Sequence, residues 1–185
     1  MSTPSPTLPR ISLANGEAIA AKIINALRPM CERIEVAGSI RRRRQSVGDV
    51  DIVLLPKADQ LPGIMARLDR NTEVKSNGET NSIRILDVPK IGPVQIDVFV
   101  AKAENKEFFE TVPSNFGSLF LLRTGSTRHN IRIVQRAKDR GLTWDFTRGI
   151  LNAHGKVIAG AEEADIYRVL DLPFQEPQNR EVPQF

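Results

Sequence analysis

Cysteines and long apolar runs are almost missing from this sequence. Cys31 is the single cysteine among 185 residues, which excludes an internal disulfide and makes a reducing compartment the expectation. No apolar run approaches the roughly 18 residues that cross a bilayer. Residues 1–10, rich in proline, serine and threonine, lack the apolar core of a secretion signal. We therefore expect a cytoplasmic protein, or a nuclear one in a eukaryotic or viral host, without a membrane partner.

Histidines are also few, and they argue against a zinc site. His129 and His154 have neither a cysteine nor a second histidine at the spacing of zinc ligands. Cys31 lies in an apolar segment, so we interpret it as a buried structural thiol rather than a nucleophile. Neither residue type therefore indicates metal or thiol chemistry.

The overall composition is that of a globular protein with a mild positive charge. Hydrophobic residues make up 41% of the chain, the formal net charge is +4 and the pI is about 9.5. The length suffices for one substantial core or two small lobes. The positive excess is compatible with a polyanionic partner but does not require one.

The segment 37–55, AGSIRRRRQSVGDVDIVLL, carries the most informative pattern. Apolar residues alternate with Asp49 and Asp51, which predicts a β-strand with both aspartates on one side. Val50 and Ile52 then lie buried behind them. Two carboxylates so placed form a hard-oxygen site of the kind that Mg²⁺ prefers. The Gly-Ser turn just upstream offers backbone N–H groups and a hydroxyl to a phosphate.

A third aspartate stands in the apolar run V-Q-I-D-V-F-V. Asp97 is costly there unless it is paired or binds a cation, the alternative being an edge-strand position that faces water. We expect a neighbouring antiparallel strand to bring Asp97 beside Asp49 and Asp51, because two-metal phosphoryl-transfer sites need shared carboxylates.

Apolar periodicity and turn signals predict the other elements. The first part has helices at 12–28 and 60–70, strands at 33–37 and 49–55, and an antiparallel meander at 72–76, 82–88 and 94–100. The second part has helices at 104–112, 114–123, 130–140 and 162–170 and strands at 144–152 and 156–158. Packing rather than base stacking is expected for Phe108, Phe109, Phe116, Leu119 and Phe120, with Ile131, Val134 and Ala137 also facing inward.

Several short motifs are spread over both parts of the chain. They are Gly38-Ser39-Ile40-Arg41-Arg42, Asp49-Val50-Asp51, Thr124-Gly125-Ser126, Asn130, Ala137-Lys138, Gly141-Leu142 and the C-terminal segment from Ile158 to Arg180. Together they resemble the motifs of the family X DNA polymerases, the polymerase beta family. The first two are similar to the nucleotidyltransferase signature, which a wider superfamily shares, and the others to the family thumb. The resemblance runs from about residue 14 to residue 181.

The resemblance implies an α+β fold in two parts. Residues 1–103 form a nucleotidyltransferase palm, with a mixed or antiparallel sheet, helices on one face and a flexible tail at 1–11. Residues 104–185 form a small α/β thumb. The length leaves no room for a helix-hairpin-helix DNA clamp or a lyase domain, so a minimal palm-plus-thumb form is expected.

The resemblance also implies a function and a set of site residues. The function is that of a monomeric DNA-directed DNA polymerase, which fills short gaps in DNA repair by adding deoxynucleotides to a primer 3′-hydroxyl and releasing pyrophosphate. Asp49, Asp51 and Asp97 are the catalytic, metal-binding carboxylates, for two Mg²⁺ ions with Mn²⁺ able to substitute. The nucleotide-binding positions are Gly38, Ser39, Arg42, Gly48, Thr124, Gly125, Ser126 and Asn130. The resemblance implies that Ser39, Arg42 and Gly48 contact the phosphates, that the turn at 124–126 lies against the sugar, and that Asn130 touches the incoming base.

Arginines recur along the 130–140 helix and the turn before it. Such a stripe is usually a solvated face, but Arg128, Arg132 and Arg136 are candidates for contacts to a DNA backbone. The DNA partner would be a primer–template or a gapped duplex.

Two departures from the family pattern keep other functions open. Leu122 and Arg123 stand where the family often has Tyr-Phe, so ribonucleotides are candidate substrates. Gln95 replaces a common arginine two residues before Asp97. The rival hypotheses are a nucleotidyltransferase that needs no template or acts on a non-DNA acceptor, and an inactive nucleic-acid-binding or scaffolding module.

Overall fold

A mixed five-stranded sheet organises the first part of the chain, in a computed structural model that describes residues 8–78, 80–107 and 110–181. The strands of this part are β1 (Ile11–Ser12), β2 (Cys31–Val36), β3 (Ser46–Val47), β4 (Asp49–Pro56), β5 (Glu73–Asn77), β6 (Asn81–Val88) and β7 (Gly92–Val100). The order of the strands in the sheet is β2-β4-β7-β6-β5. The helices are α1 (Leu13–Leu27), α2 (Gly38–Arg41) and α3 (Leu61–Asp69), with a 3₁₀ turn at Arg28–Met30.

The direction of β7 corrects one prediction. Strands β5, β6 and β7 form the predicted antiparallel meander, but β7 pairs with β4 in parallel, not antiparallel. The chain leaves β4 through α3, which returns it to the start of the sheet, so β5 runs in the same direction as β4. Two reversals later, β7 runs in that direction too. Asp97 thus reaches Asp51 by parallel pairing.

The start of the chain is more ordered than predicted. We expected a flexible tail at 1–11, but Ile11 is buried and pairs with Val47 in a short β1–β3 ladder. Arg10 donates a hydrogen bond to the Ser46 hydroxyl at 2.8 Å. The tail prediction for residues 1–7 lies outside the described residues.

In the residues that the structure describes, the second part combines three helices with short strands. These are β8 (Asn105–Glu107), β9 (Glu110–Val112), α4 (Phe116–Thr124), α5 (Thr127–Asp139), β10 (Thr143–Asp145), β11 (Gly149–Leu151), β12 (Val157–Ala159) and α6 (Glu163–Val169), with a 3₁₀ turn at Pro177–Asn179. Strands β10, β11 and β12 form one antiparallel sheet. With the first part, this confirms the predicted α+β class.

Two predictions of secondary structure in this part are wrong. Within the predicted helix at 104–112, Asn105–Glu107 and Glu110–Val112 pair instead as the antiparallel strands β8 and β9, as suits the β-branched Thr111 and Val112. Phe108 and Phe109 lie outside the described residues. The predicted strand at 144–152 is two strands, because the backbone and hydroxyl of Thr147 both donate to Asp145 Oδ1 at 2.8 Å and make a turn.

Helix α5 is rotated relative to its predicted face. It begins at Thr127, and its buried residues are His129, Ile133 and Ala137, four positions apart. Ile131 therefore lies on the outer side and is 62% exposed, which contradicts its predicted inward position. Val134 is partly buried against the same core. Because His129 was not counted as a core residue, the apolar face was placed wrongly.

Strand β4 is covered on both faces. Val50, Ile52 and Leu54 point into a core shared with α1 and α3. Val53 and Leu55 point the other way, toward Phe116, Leu119 and Phe120 of α4. A third cluster, formed by α5, α6 and the β10–β12 sheet, completes the packing. The division of the chain near residues 103 and 104 stays a prediction, because α4 and the first sheet share a core.

Buried charge joins the two parts. Glu163 of α6 accepts hydrogen bonds from Arg41 of α2 at 2.8 and 3.0 Å and from the fully buried Arg180 at 2.7 Å. Burial alone would raise the pKa of Glu163, but the two guanidinium groups outweigh it and hold the pKa below its usual value. The charged carboxylate of Glu163 therefore holds α6 to α2 and to the segment at Arg180.

Cys31 is buried, and burial raises the pKa of its thiol, as suits a structural residue. Across the described part of the chain, no helix has both the length and the apolar character that a membrane crossing needs.

Candidate active site

Three carboxylates meet on the face of the sheet opposite the α1–α3 core. Asp51 of β4 pairs directly with Asp97 of β7, and Asp49 lies two residues before Asp51 on the same side. Each offers an oxygen within 4.8 Å of the other two. The structure thus brings together the three residues that the sequence singled out, and the cluster has the hard oxygen donors that divalent cations prefer.

The cluster is electrostatically unfavourable by itself. Burial, reinforced by the charges of Asp49 and Asp97, raises the pKa of Asp51 to about 8. Burial also raises the pKa of Asp97, whose Oδ1 accepts a hydrogen bond from Gln95 at 2.9 Å. A bound cation would relieve this repulsion, so the cluster could hold a metal ion. The sequence did not predict the contact with Gln95, which stands where the family has arginine.

Gly38 makes the close approach between the turn and the carboxylates possible. Its φ of +57° lies in the left-handed region, and a Cβ on it would come within 1.8 Å of Asp51 Oδ2. The Ala37 amide donates to the Asp51 carbonyl at 2.8 Å, which fixes the turn to β4. The next residue, Ser39, has a buried hydroxyl without a hydrogen-bond partner in the described structure. A turn of this kind has a polar group available for a ligand.

Arg42, the predicted phosphate ligand, is already paired. Its Nε donates to Glu181 at 2.6 Å, and its Nη1 donates to the Thr124 carbonyl. Glu181 also lies 3.8 Å from Arg44. Gly48, the other residue predicted to contact the phosphates, directly precedes β4 and lies beside the Arg10 guanidinium. Phosphate binding by Ser39, Arg42 and Gly48 stays a prediction.

The predicted sugar-side turn lies between α4 and α5. The hydroxyl of Thr124 accepts a hydrogen bond from Arg41 at 2.7 Å, and Gly125 has a φ of +68° and precedes Ser126 through a cis peptide bond. Ser126 caps α5 and donates to the Arg180 carbonyl at 2.6 Å. Asn130 donates to the Leu122 carbonyl at 2.8 Å. The turn is therefore held next to Arg41 and Arg42, while its contact with a nucleotide stays a prediction.

The three candidate DNA-binding arginines occupy different environments on α5. Arg128 and Arg132 are exposed. Arg136 is half-buried and donates to the Leu170 carbonyl at 2.9 Å, with Asp171 Oδ2 at 3.6 Å. A structural contact thus occupies part of the Arg136 guanidinium, and DNA binding by all three stays a prediction.

Arg123 is a charged neighbour of the cluster that the sequence did not assign to it. Its guanidinium carbon lies 3.9 Å from the centroid of the Phe99 ring. Partial burial lowers the pKa of Arg123, while Asp51 and Asp97 act to raise it. Its charge in turn acts to lower the pKa of both aspartates. Only the fold could reveal this neighbour, because α4 and β7 are separate elements.

Comparisons with known proteins show what the sequence of the second part and the fold of the chain are similar to. Residues 119–181 match the family model described as the DNA polymerase beta thumb. Two solved structures of Leishmania infantum polymerase beta, a ternary P/T complex and a ternary gap complex, each superpose with a TM-score of 0.76 at 17% identity. The first covers 94% of this chain and 77% of its own, and the second 93% and 71%.

The thumb match and the shared fold are two separate observations that support the resemblance to the polymerase beta family. The family model recognises the sequence of the second part, and the superpositions extend over the sheet that carries the three aspartates. Residues 119–181 are therefore similar to a polymerase beta thumb, and the chain has the fold of polymerase beta, as its resemblance to the family X polymerases predicts.

Proposed function

We propose that this protein is a DNA-directed DNA polymerase, which adds a deoxynucleotide to a primer 3′-hydroxyl and releases pyrophosphate. The observation that supports this most is the parallel pairing of Asp51 with Asp97, with Asp49 close enough for one ion to touch all three. The similar Leishmania structures, a P/T and a gap complex of polymerase beta, favour DNA over other acceptors. Gap filling in repair is the use that fits them best.

The metal ions of this proposal are two Mg²⁺, with Mn²⁺ able to substitute. Held by Asp49, Asp51 and Asp97, they would supply positive charge to the 3′-oxygen and to the triphosphate. In phosphoryl transfer, positioning and neutralisation of charge do most of the work. One chain supplies all three carboxylates, so a monomer suffices.

The residues of the chain have separate roles in the proposed reaction. Asp97 accepts the proton of the 3′-hydroxyl, and Gln95 keeps its carboxylate in place. The 3′-oxygen then bonds to the α-phosphorus while the bond from that phosphorus to the pyrophosphate oxygen breaks. Arg42 and the Ser39 hydroxyl bind the leaving phosphates, once Arg42 has exchanged Glu181 for a phosphate.

Primer extension tests the proposal. The purified chain is given Mg²⁺, a one-nucleotide gapped duplex and each deoxynucleotide singly, with the ribonucleotides as a second series. Incorporation that matches the template supports the proposal. Indiscriminate addition favours the template-independent alternative, and ribonucleotide use would follow from Leu122 and Arg123 at the sugar-side positions. No incorporation, together with retained DNA binding, favours the inactive binding module.

A further inference from the structure

Arg123 is tied to the carboxylate face of the sheet. Phe99 lies two residues after Asp97 on β7, so their side chains share one face. The Arg123 guanidinium carbon stands 3.9 Å from the centroid of that ring, within the range of a cation–π contact. The contact limits how far the guanidinium can move from the aspartates, although Arg123 is exposed as a residue.

Other arginines near the site are paired with carboxylates outside the cluster. Arg41 contacts Glu163, and Arg42 contacts Glu181. The charge of Arg123 acts to lower the pKa of both Asp51 and Asp97, and Arg42 adds a smaller effect in the same direction at Asp51. Its location on α4 and its ring contact place it beside the cluster without making it a metal ligand.

We propose that Arg123 is a positioning residue that sets the cation affinity of the Asp49–Asp51–Asp97 cluster. Its positive charge compensates the carboxylates before a cation enters and then repels the cation that does enter. The proposal deepens the proposed function and rests on its metal site. It adds a residue of α4 that controls how much divalent ion the cluster requires.

The charge argument fixes the sign of the effect. Removing a positive charge near a divalent ion strengthens binding of that ion, because Coulomb repulsion disappears. At a surface-like dielectric, the expected gain in affinity is roughly threefold or more. Binding is reciprocal, so a cation on the carboxylates also weakens the electrostatic hold of Arg123 on the sheet.

The test measures Mn²⁺ binding to the full chain, by the electron paramagnetic resonance of free Mn²⁺, without nucleotide or DNA. Arg123→Met removes the charge while keeping a long side chain on Phe99, and Arg123→Lys keeps the charge. Arg33→Met is the matched control, because Arg33 lies 4.1 Å over the Phe116 ring and pairs with Glu162. Titrations at several pH values separate direct repulsion from proton competition, and thermal unfolding checks each fold.

The expected result is tighter Mn²⁺ binding for Arg123→Met, by roughly threefold or more, with Arg123→Lys and Arg33→Met close to the original chain. Unchanged or weaker binding by a folded Arg123→Met variant overturns the inference and leaves the metal site standing. If Asp51→Asn binds Mn²⁺ as well as the original chain, the cluster is not the metal site. In that case both the inference and the proposed mechanism are wrong.

Discussion

Asp51 and Asp97 stand directly opposite each other on two parallel strands, although 46 positions separate them in the chain. Each therefore depends on the sheet register for its position. A one-residue slip between β4 and β7 would turn one of the two carboxylates to the opposite face of the sheet.

Replacing Asp97 with asparagine should abolish primer extension while preserving the fold. The change removes the proposed proton acceptor and a metal ligand, so we expect a loss of at least about 100-fold. Burial already disfavours the charge on Asp97, so the neutral amide should not destabilise the sheet. Single-turnover extension and thermal unfolding measure the two effects. Near-normal extension by Asp97→Asn would refute the catalytic assignment.

Gly38→Ala should damage the site more than a glycine change of similar backbone geometry. Gly141 has a φ of +68°, and no atom of the described residues lies within 4 Å of the place that a Cβ would take, so Gly141→Ala should cost only the backbone strain, about 1 kcal/mol. Gly38→Ala adds a clash with Asp51 Oδ2. We expect the Gly38→Ala variant to unfold at a lower denaturant concentration than the Gly141→Ala variant, and to lose extension activity. Equal stability losses and equal activities in the two variants would contradict the close approach.

Glu181→Gln should tighten nucleotide binding. Glu181 Oε1 accepts a hydrogen bond from Arg42 Nε at 2.6 Å, and a phosphate must compete with Glu181 for this guanidinium. The pair is partly exposed, so the gain should be modest, up to about fivefold in Kd. Equilibrium binding of a deoxynucleoside triphosphate measures it. Glu176 is exposed and lies five residues before Glu181, so Glu176→Gln controls for the change in net charge. The same gain in both variants would mean that Glu181 has no specific role.

His129 should make stability depend on pH below neutrality. It is fully buried, hydrogen-bonded to the Tyr167 hydroxyl at 2.8 Å, and burial, aided by Arg180, lowers its pKa to about 4. A folded-state pKa below the ordinary 6.5 means that its contribution is complete above pH 6.5 and disappears as the pH falls toward 4. The loss should reach about 3 kcal/mol.

Urea unfolding between pH 7 and 4 tests this expectation. A folded His129→Phe variant should lack that part of the pH dependence. His154 is exposed, so a His154→Gln variant should keep it. A His129→Phe variant with an unaltered pH profile would show that another group is responsible.

Local patterns predicted what depends on neighbours in sequence. The alternation around Asp49 and Asp51 located β4, and the buried Val50 and Ile52 confirm which face is inside. The parallel direction of β7 was missed because it depends on the route of the chain through α3 and two reversals. The face of α5 was missed because its core position at His129 is polar by composition and buried only by the fold.

Contacts distant in sequence were beyond any local pattern. Arg42 and Glu181 are 139 positions apart, and no motif in either segment points to the other. Arg123 lies in the last turn of the apolar helix α4, whose sequence gives no sign of the Phe99 ring beneath it. The motifs could therefore name the three carboxylates, but only tertiary structure could name their electrostatic neighbours.

The double coverage of β4 has a mechanical consequence. Strand β4 carries Asp49 and Asp51 at its start, and its later residues pack against side chains of α1, α3 and α4. Interiors packed this tightly transmit small displacements instead of absorbing them. A small displacement of α4 should therefore be transmitted through β4 and change the orientation of the Asp49 and Asp51 carboxylates.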